Sequence, residues 1–148
     1  MKLVLIILFL AFASCGENNK PGPVEIHYGQ DICERCKMII SEEKFSSQII
    51  ADKRKVYNFD DIGGMIHYMS ENKIAPGSVE IYVKDFNTGE WLFFDKAVYV
   101  VTDEIQTPMN YGIIAFADKK SADGFISIHR GKVIEQFTFV MEYVVNNA

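Results

Sequence analysis

Eleven apolar residues run unbroken from Leu3 to Ala13, after Met1-Lys2 and before Ser14-Cys15-Gly16. Such a run is too short to cross a hydrocarbon core, which takes about 20 helical residues. A positive start, an apolar stretch and small residues at its end are instead the marks of an export signal. Glu17 to Pro23 is polar and rich in Pro and Gly, as a tether is. Residues 1–14 therefore read as a signal, 15–23 as a tether, and folded structure is expected over 24–148.

In the folded part, Phe45-Ser-Ser-Gln-Ile-Ile-Ala51 reads as a strand, Asp52-Lys53-Arg54-Lys55 as an exposed turn and Val56 to Phe59 as the returning strand. Asp60 or Asp61 then caps a helix whose apolar positions Ile62, Met65, Ile66 and Met69 keep helical spacing. Gly63-Gly64 weakens that helix, each Gly costing about 1 kcal/mol against Ala. Ala75-Pro76-Gly77 breaks the chain, and Ser78 to Lys84 reads as a third strand.

The second half repeats this plan. A turn at Phe86 to Trp91 leads into Leu92-Phe93-Phe94, Ala97 to Val101 is β-branched, and Tyr111 to Ala117 is a further strand. Asp118 or Ser121 caps a short helix through Ile128, Lys132 to Gln136 is a strand, and Phe137 to Val145 closes as a helix. Matching Met38 and Ile49–Lys53 to Met109 and Ala115–Lys119 would give the two methionines equivalent places. The expected fold is α+β: two small, similar lobes, about 24–85 and 86–148, each a few antiparallel strands packed with one helix.

Composition narrows the function. The 148 residues carry 15 Lys and Arg against 20 Asp and Glu, a net charge of −5, and 49 % are hydrophobic. That is neither disordered nor suited to a nucleic acid, which calls for clustered Lys and Arg. Loss of residues 1–14 removes one charge, Lys2, and takes the net charge from −5 to −6. The segment Phe12-Ala13-Ser14-Cys15 resembles a bacterial lipobox, with Cys15 as the lipidated first residue of the mature chain; an ordinary cleaved signal is the alternative. Gly16 rather than Asp after Cys15 leans toward an outer membrane facing the periplasm. With Cys15 so used, Cys33 and Cys36 remain as a pair in a compartment that favours disulfides.

The dense chemistry lies in Asp31-Ile-Cys33-Glu34-Arg35-Cys36-Lys37-Met38. Two thiolates and a thioether are soft donors, which select Cu(I) over hard cations. Zinc asks for four N, S or O ligands, and His27, His67 and His129 are scattered singly. A lone Cys-x-x-Cys equally suits a structural disulfide or a redox dithiol. A reactive dithiol sits at a helix N-terminus after a buried strand, whereas loop-like residues precede Cys33, and Asp31 and Glu34 would raise the thiol pKa values. Met65, Met69 and Met141 fall at core positions of helices. Met38, beside the cysteines, and Met109, in the turn-rich Gln106-Thr-Pro-Met-Asn-Tyr-Gly112, are the thioether candidates.

Taken in order, the lipobox, Cys33-Glu-Arg-Cys36-Lys-Met38, Val56-Tyr-Asn-Phe-Asp-Asp61, Trp91, Ala97-Val-Tyr-Val100, Pro108-Met109 with Gly112, and Ala115-Phe-Ala117 resemble the NosL family of nitrous-oxide reductase accessory lipoproteins. The resemblance implies two α+β lobes like those of organomercurial lyase, Cu(I) binding without catalysis, and delivery of copper to nitrous-oxide reductase with help from a membrane ABC-type maturation complex. It places a thiolate on Cys36 and thioethers on Met38 and Met109, with Cys33 as an additional ligand. Gly64 stands before Met65 where relatives often have Cys, and Asn110 follows Met109 where Gly is usual. A lipid-anchored monomer or weak homodimer is expected. The alternative from another class is an extracytoplasmic thiol:disulfide oxidoreductase using Cys33 and Cys36; a third is a structural domain with a disulfide between them.

Overall fold

The computed structural model describes residues 22–52 and 55–147. The leader with Cys15, most of the tether and the centre of the Lys53-Arg54-Lys55 turn lie outside the described residues. The first unit comprises β1 (Ser47–Ala51), β2 (Lys55–Phe59), α1 (Ile62–Glu71) and β3 (Glu80–Lys84), followed by β4 (Trp91–Phe93). These strands form an antiparallel sheet in the order β2-β1-β3-β4. On α1, Ile62, Met65, Ile66 and Met69 are all fully buried, as their spacing requires. Asp61, not Asp60, caps the helix: its carboxylate accepts from the Gly63 and Gly64 amides at 2.8 and 3.4 Å. β1 begins two residues later than the apolar pattern suggests, because Glu43–Phe45 form a 3-10 turn. Ser46 closes that turn with both its amide and its hydroxyl on the Glu43 carbonyl.

The opposite face of β1 is covered too. The Gln48 side chain receives the Val24 amide at 2.8 Å and donates to the Val24 carbonyl at 3.1 Å, so the chain enters along the outer face of the sheet.

The second unit comprises β5 (Val98–Val101), β6 (Ile113–Phe116), α2 (Lys119–Ile126) and β7 (Lys132–Ile134), and α3 (Phe137–Asn146) closes the chain. Its sheet order is β6-β5-β7, again antiparallel. Both units are therefore a hairpin, an Asp-capped helix and a third strand paired back onto the first. Asp118 caps α2 through the Ser121 amide at 2.8 Å. The duplication has a different register from the expected one: Phe59-Asp60-Asp61 corresponds to Phe116-Ala117-Asp118, at the end of the second strand of each unit. Met38 precedes β1 whereas Met109 lies in the connection between β5 and β6, so the two methionines are not equivalent. In the second unit a long loop replaces the tight first hairpin, and Met109 rides on it.

The two sheets share the larger of two buried clusters. Ile49, Phe59 and Met65 from the first unit lie in the same buried cluster as Tyr99, Ile113 and Val140 from the second and α3, and α3 packs on α1. Asp85 joins the sheets at their margin: its carboxylate accepts the Asn87 amide at 2.8 Å and the Ala117 amide at 3.1 Å, while Phe86 N–H donates to Ala115 C=O. Among the described residues no helix is long and apolar enough to cross a membrane.

Candidate metal centre

Cys33 to Met38 form a tight turn ahead of β1. The Lys37 amide donates to the Cys33 carbonyl at 3.0 Å and the Cys33 amide to the Met38 carbonyl at 2.8 Å. Lys37 takes a left-handed conformation, φ 60°, to close the turn. Glu34 N–H donates to the Asn58 carbonyl at 2.8 Å, which fastens the turn to the β2 edge. No strand runs into Cys33 and no helix starts there, so the geometry is not that of a thioredoxin-type dithiol.

This turn delivers Cys33, fully buried, and Cys36, half-buried, to Asp60, the residue between β2 and the α1 cap. One sulfur from each cysteine and a carboxylate oxygen of Asp60 all lie within 4.8 Å of one another and could hold a metal ion. Asp60 receives the Cys36 thiol on Oδ2 at 3.2 Å, while its buried Oδ1 has no partner. A buried carboxylate oxygen without a donor is costly, so the site suits a cation. Burial, first, then the neighbouring Cys33 and Asp60 push the Cys36 thiol up to about 12, against a Met38 amide that favours the thiolate. Asp31 and Glu34, expected to act on the thiols, are engaged elsewhere: Asp31 accepts the His27 amide and Glu34 pairs with Lys37. The acidic neighbour is Asp60.

The sequence points to Asp60 only as a possible helix cap and not as a ligand. The tandem Asp60-Asp61 held the signal, since one aspartate suffices to cap the helix and the other is left without a helical task.

The second methionine arrives from the opposite unit. Asp61 Oδ2 accepts both the Thr107 hydroxyl, at 2.6 Å, and the Met109 amide, at 3.0 Å. Burial raises the Asp61 pKa, opposed by these donors and by the two helix amides. Asp61 thus caps α1 and pins the Met109 loop to the same helix end. Gly63 and Gly64 are the reason that loop can come so close: a Cβ on Gly63 would enter the Tyr111 ring, and one on Gly64 would lie 2.7 Å from Met109 Sδ. Asn110 has φ 60°, the conformation that a Gly after Met109 would supply and that Asn tolerates best among the other residues.

The four sequence candidates therefore divide. The structure joins Cys33 and Cys36, keeps Met38 on their turn with its side chain 66 % exposed, and brings Met109, half-buried, to Asp61. Cys15 lies outside the described residues. Ile32 and Ile39, paired across the base of the turn, are 58 % and 56 % exposed, so the rim is apolar. The histidines stay apart from the thiols: His27 is exposed, His67 packs on Tyr111, and His129 stacks on Phe125 beside Glu104. Met65 and Met69 are core.

A family model for NosL matches residues 23–144. The chain belongs to the NosL family. A solved NosL structure, the crystal structure of the copper chaperone NosL from Shewanella denitrificans, has the same fold, with a TM-score of 0.66 at 22 % identity over 78 % of this chain and 93 % of that one. The α+β arrangement of two antiparallel sheets is thus the NosL fold. A comparison with curated proteins returns no significant match.

Proposed function

We propose that this NosL-family protein is a membrane-tethered copper chaperone that carries Cu(I) and catalyses no reaction. The observation that carries the reading is the convergence of two sulfurs and an orphaned, buried carboxylate at one point. Membership of the family, and the naming of a structural relative as a copper chaperone, support the same cargo. Cys36 and Met38, with Met109 from the other unit, are the proposed principal ligands, and Cys33 is a further thiolate beside Cys36. Soft sulfur donors favour Cu(I). One thiolate already neutralises Cu(I), so Asp60 serves as the hydrogen-bond acceptor of the Cys36 thiol and not as a counter-charge.

The chemistry is ligand exchange. On binding, each coordinating thiol loses its proton to solvent as the metal–sulfur bond forms, and no electrons move. Half-burial of Cys36 and exposure of Met38 leave the ion open to attack by an acceptor's ligands, which a closed four-coordinate cage would prevent. The proposed acceptor is nitrous-oxide reductase, served through a membrane ABC-type maturation complex. Lipid on Cys15, in an extracytoplasmic compartment and on the outer membrane by the residue after it, would raise the protein's effective concentration near such partners. The working unit is a monomer or weak homodimer.

Anaerobic titration of the reduced protein with Cu(I) against a competing chelator tests the reading. Binding tighter than about 1 µM is expected, weakened at least tenfold by Cys36→Ser and by Met38→Ala, and less by Cys33→Ser. Weaker binding, or binding indifferent to Cys36 and Met38, overturns it. The oxidoreductase alternative predicts silent Met variants and a Cys33→Ser variant without activity; a first thiol, Cys33, that is fully buried and starts no helix argues against it.

A further inference from the structure

The outer face of the four-stranded sheet carries an aromatic cluster at the edge opposite the thiol turn. Tyr82 of β3 pairs with Phe93 of β4, and Lys84 with Trp91. The Tyr82 ring lies 5.0 Å from that of Phe93 and 6.5 Å from that of Trp91, and Lys84 Nζ sits 4.4 Å from the Trp91 ring centre. Phe93 is 56 % exposed. It stands between two shallow hollows of about 290 and 270 Å³, both bordered by Glu80. Gly22 and Pro23 line the first of these, so the chain leaves the fold against the aromatic cluster.

From these placements we infer that this face rests on the lipid surface, with the Trp91 and Phe93 rings in the boundary between headgroups and acyl chains. The inference rests on the lipid anchor at Cys15. Cys15 to Gly22 is a span of seven residues, which reaches at most about 25 Å. The face next to Gly22 is therefore the one the tether can bring to the bilayer with least loss of freedom. Trp and Tyr favour that interfacial depth because each joins an apolar ring to a polar tip. Glu80 and Asp95 border the hollows, which fits a zwitterionic surface and not recruitment by anionic headgroups. The thiol turn is fastened to β2, three strands away across the sheet from β4. Docked in this way, the protein holds its copper site away from the membrane.

Trp91 is the only tryptophan, so its fluorescence reports this face alone. The full-length lipoprotein, purified from bacterial membranes, would be weighed by mass spectrometry for lipid on Cys15 and reconstituted into phosphatidylcholine vesicles. Part of the lipid would carry a nitroxide high on the acyl chain. Emission should shift to the blue and fall by about half or more with the nitroxide lipid. A Phe93→Glu variant should stay on the vesicles, bind Cu(I) unchanged and lose most of that quenching. A mature chain without lipid overturns the anchor and this inference together. A lipidated, vesicle-bound protein whose Trp91 emission ignores the nitroxide overturns this inference and leaves the anchor standing.

Discussion

At Cys36, burial and its two neighbours raise the thiol from 9.0 to about 12. At pH 8 it then presents about a thousandfold less thiolate than an unperturbed cysteine. Alkylation by iodoacetamide, followed at Cys36 by peptide mass, should be slower than for glutathione by two or more orders of magnitude. Asp60→Asn removes a carboxylate that favours the protonated thiol, so it should speed the reaction; an equal or slower rate would remove Asp60 from the account. Cys33, Cys36, Met38 and Met109 were legible as candidates because soft donors are scarce and stand out. Asp60 was not, since acidic residues are common and only the turn that carries Cys36 to it gives this one a task.

The start of α1 shows how an element can break a propensity rule for a reason that lies elsewhere in the chain. In a free helix, Gly63→Ala and Gly64→Ala should each stabilise by about 1 kcal/mol. Here Gly63→Ala should cost about 1–3 kcal/mol in denaturant unfolding, because Tyr111 occupies the space. Gly64→Ala meets only the flexible end of Met109, so its main effect should be weaker Cu(I) binding. A stabilised Gly63→Ala variant would refute this packing. The helix itself could be read from Ile62, Met65, Ile66 and Met69, since periodicity is local. The loop that makes the glycines necessary comes from residues 107–111, and no local pattern announces that approach. In the second unit, Arg130 and His129 hold the Glu104 carboxyl below its ordinary value of 4.5. Because that pKa is depressed by folding, its contribution to stability is present above about 4.5 and fades as pH falls through the folded value. An NMR titration should find the Glu104 midpoint below 4.5, and Arg130→Ala should raise it.

Across the whole molecule, the two units are similar in plan yet depend on each other. The α+β class and the repeat were visible as two rounds of strand, strand, helix and strand, but the pairing register was not. Residue likeness pairs Ile49–Lys53 with Ala115–Lys119, while the sheets align Phe59-Asp60-Asp61 with Phe116-Ala117-Asp118. Since Ile49, Phe59 and Met65 pack in one cluster with Tyr99, Ile113 and Val140, the first half does not bury its core alone, while the second has a smaller cluster of its own around Ile114 and Phe116. Residues 22–85 made alone should give no cooperative thermal transition by circular dichroism, whereas 22–148 should melt in one step; a folded half would contradict the shared core. The Asp60-Asp61 pair carries this dependence into the life of the protein. Under the proposed function, cargo held between a turn of one unit and a loop of the other would favour the folded chain over the unfolded by about 2.7 kcal/mol at a hundredfold excess over its dissociation constant. Proteases that clear unfolded chains would then spare the loaded form and remove the empty one, so the copper supply would set how many copies survive as well as how many are filled.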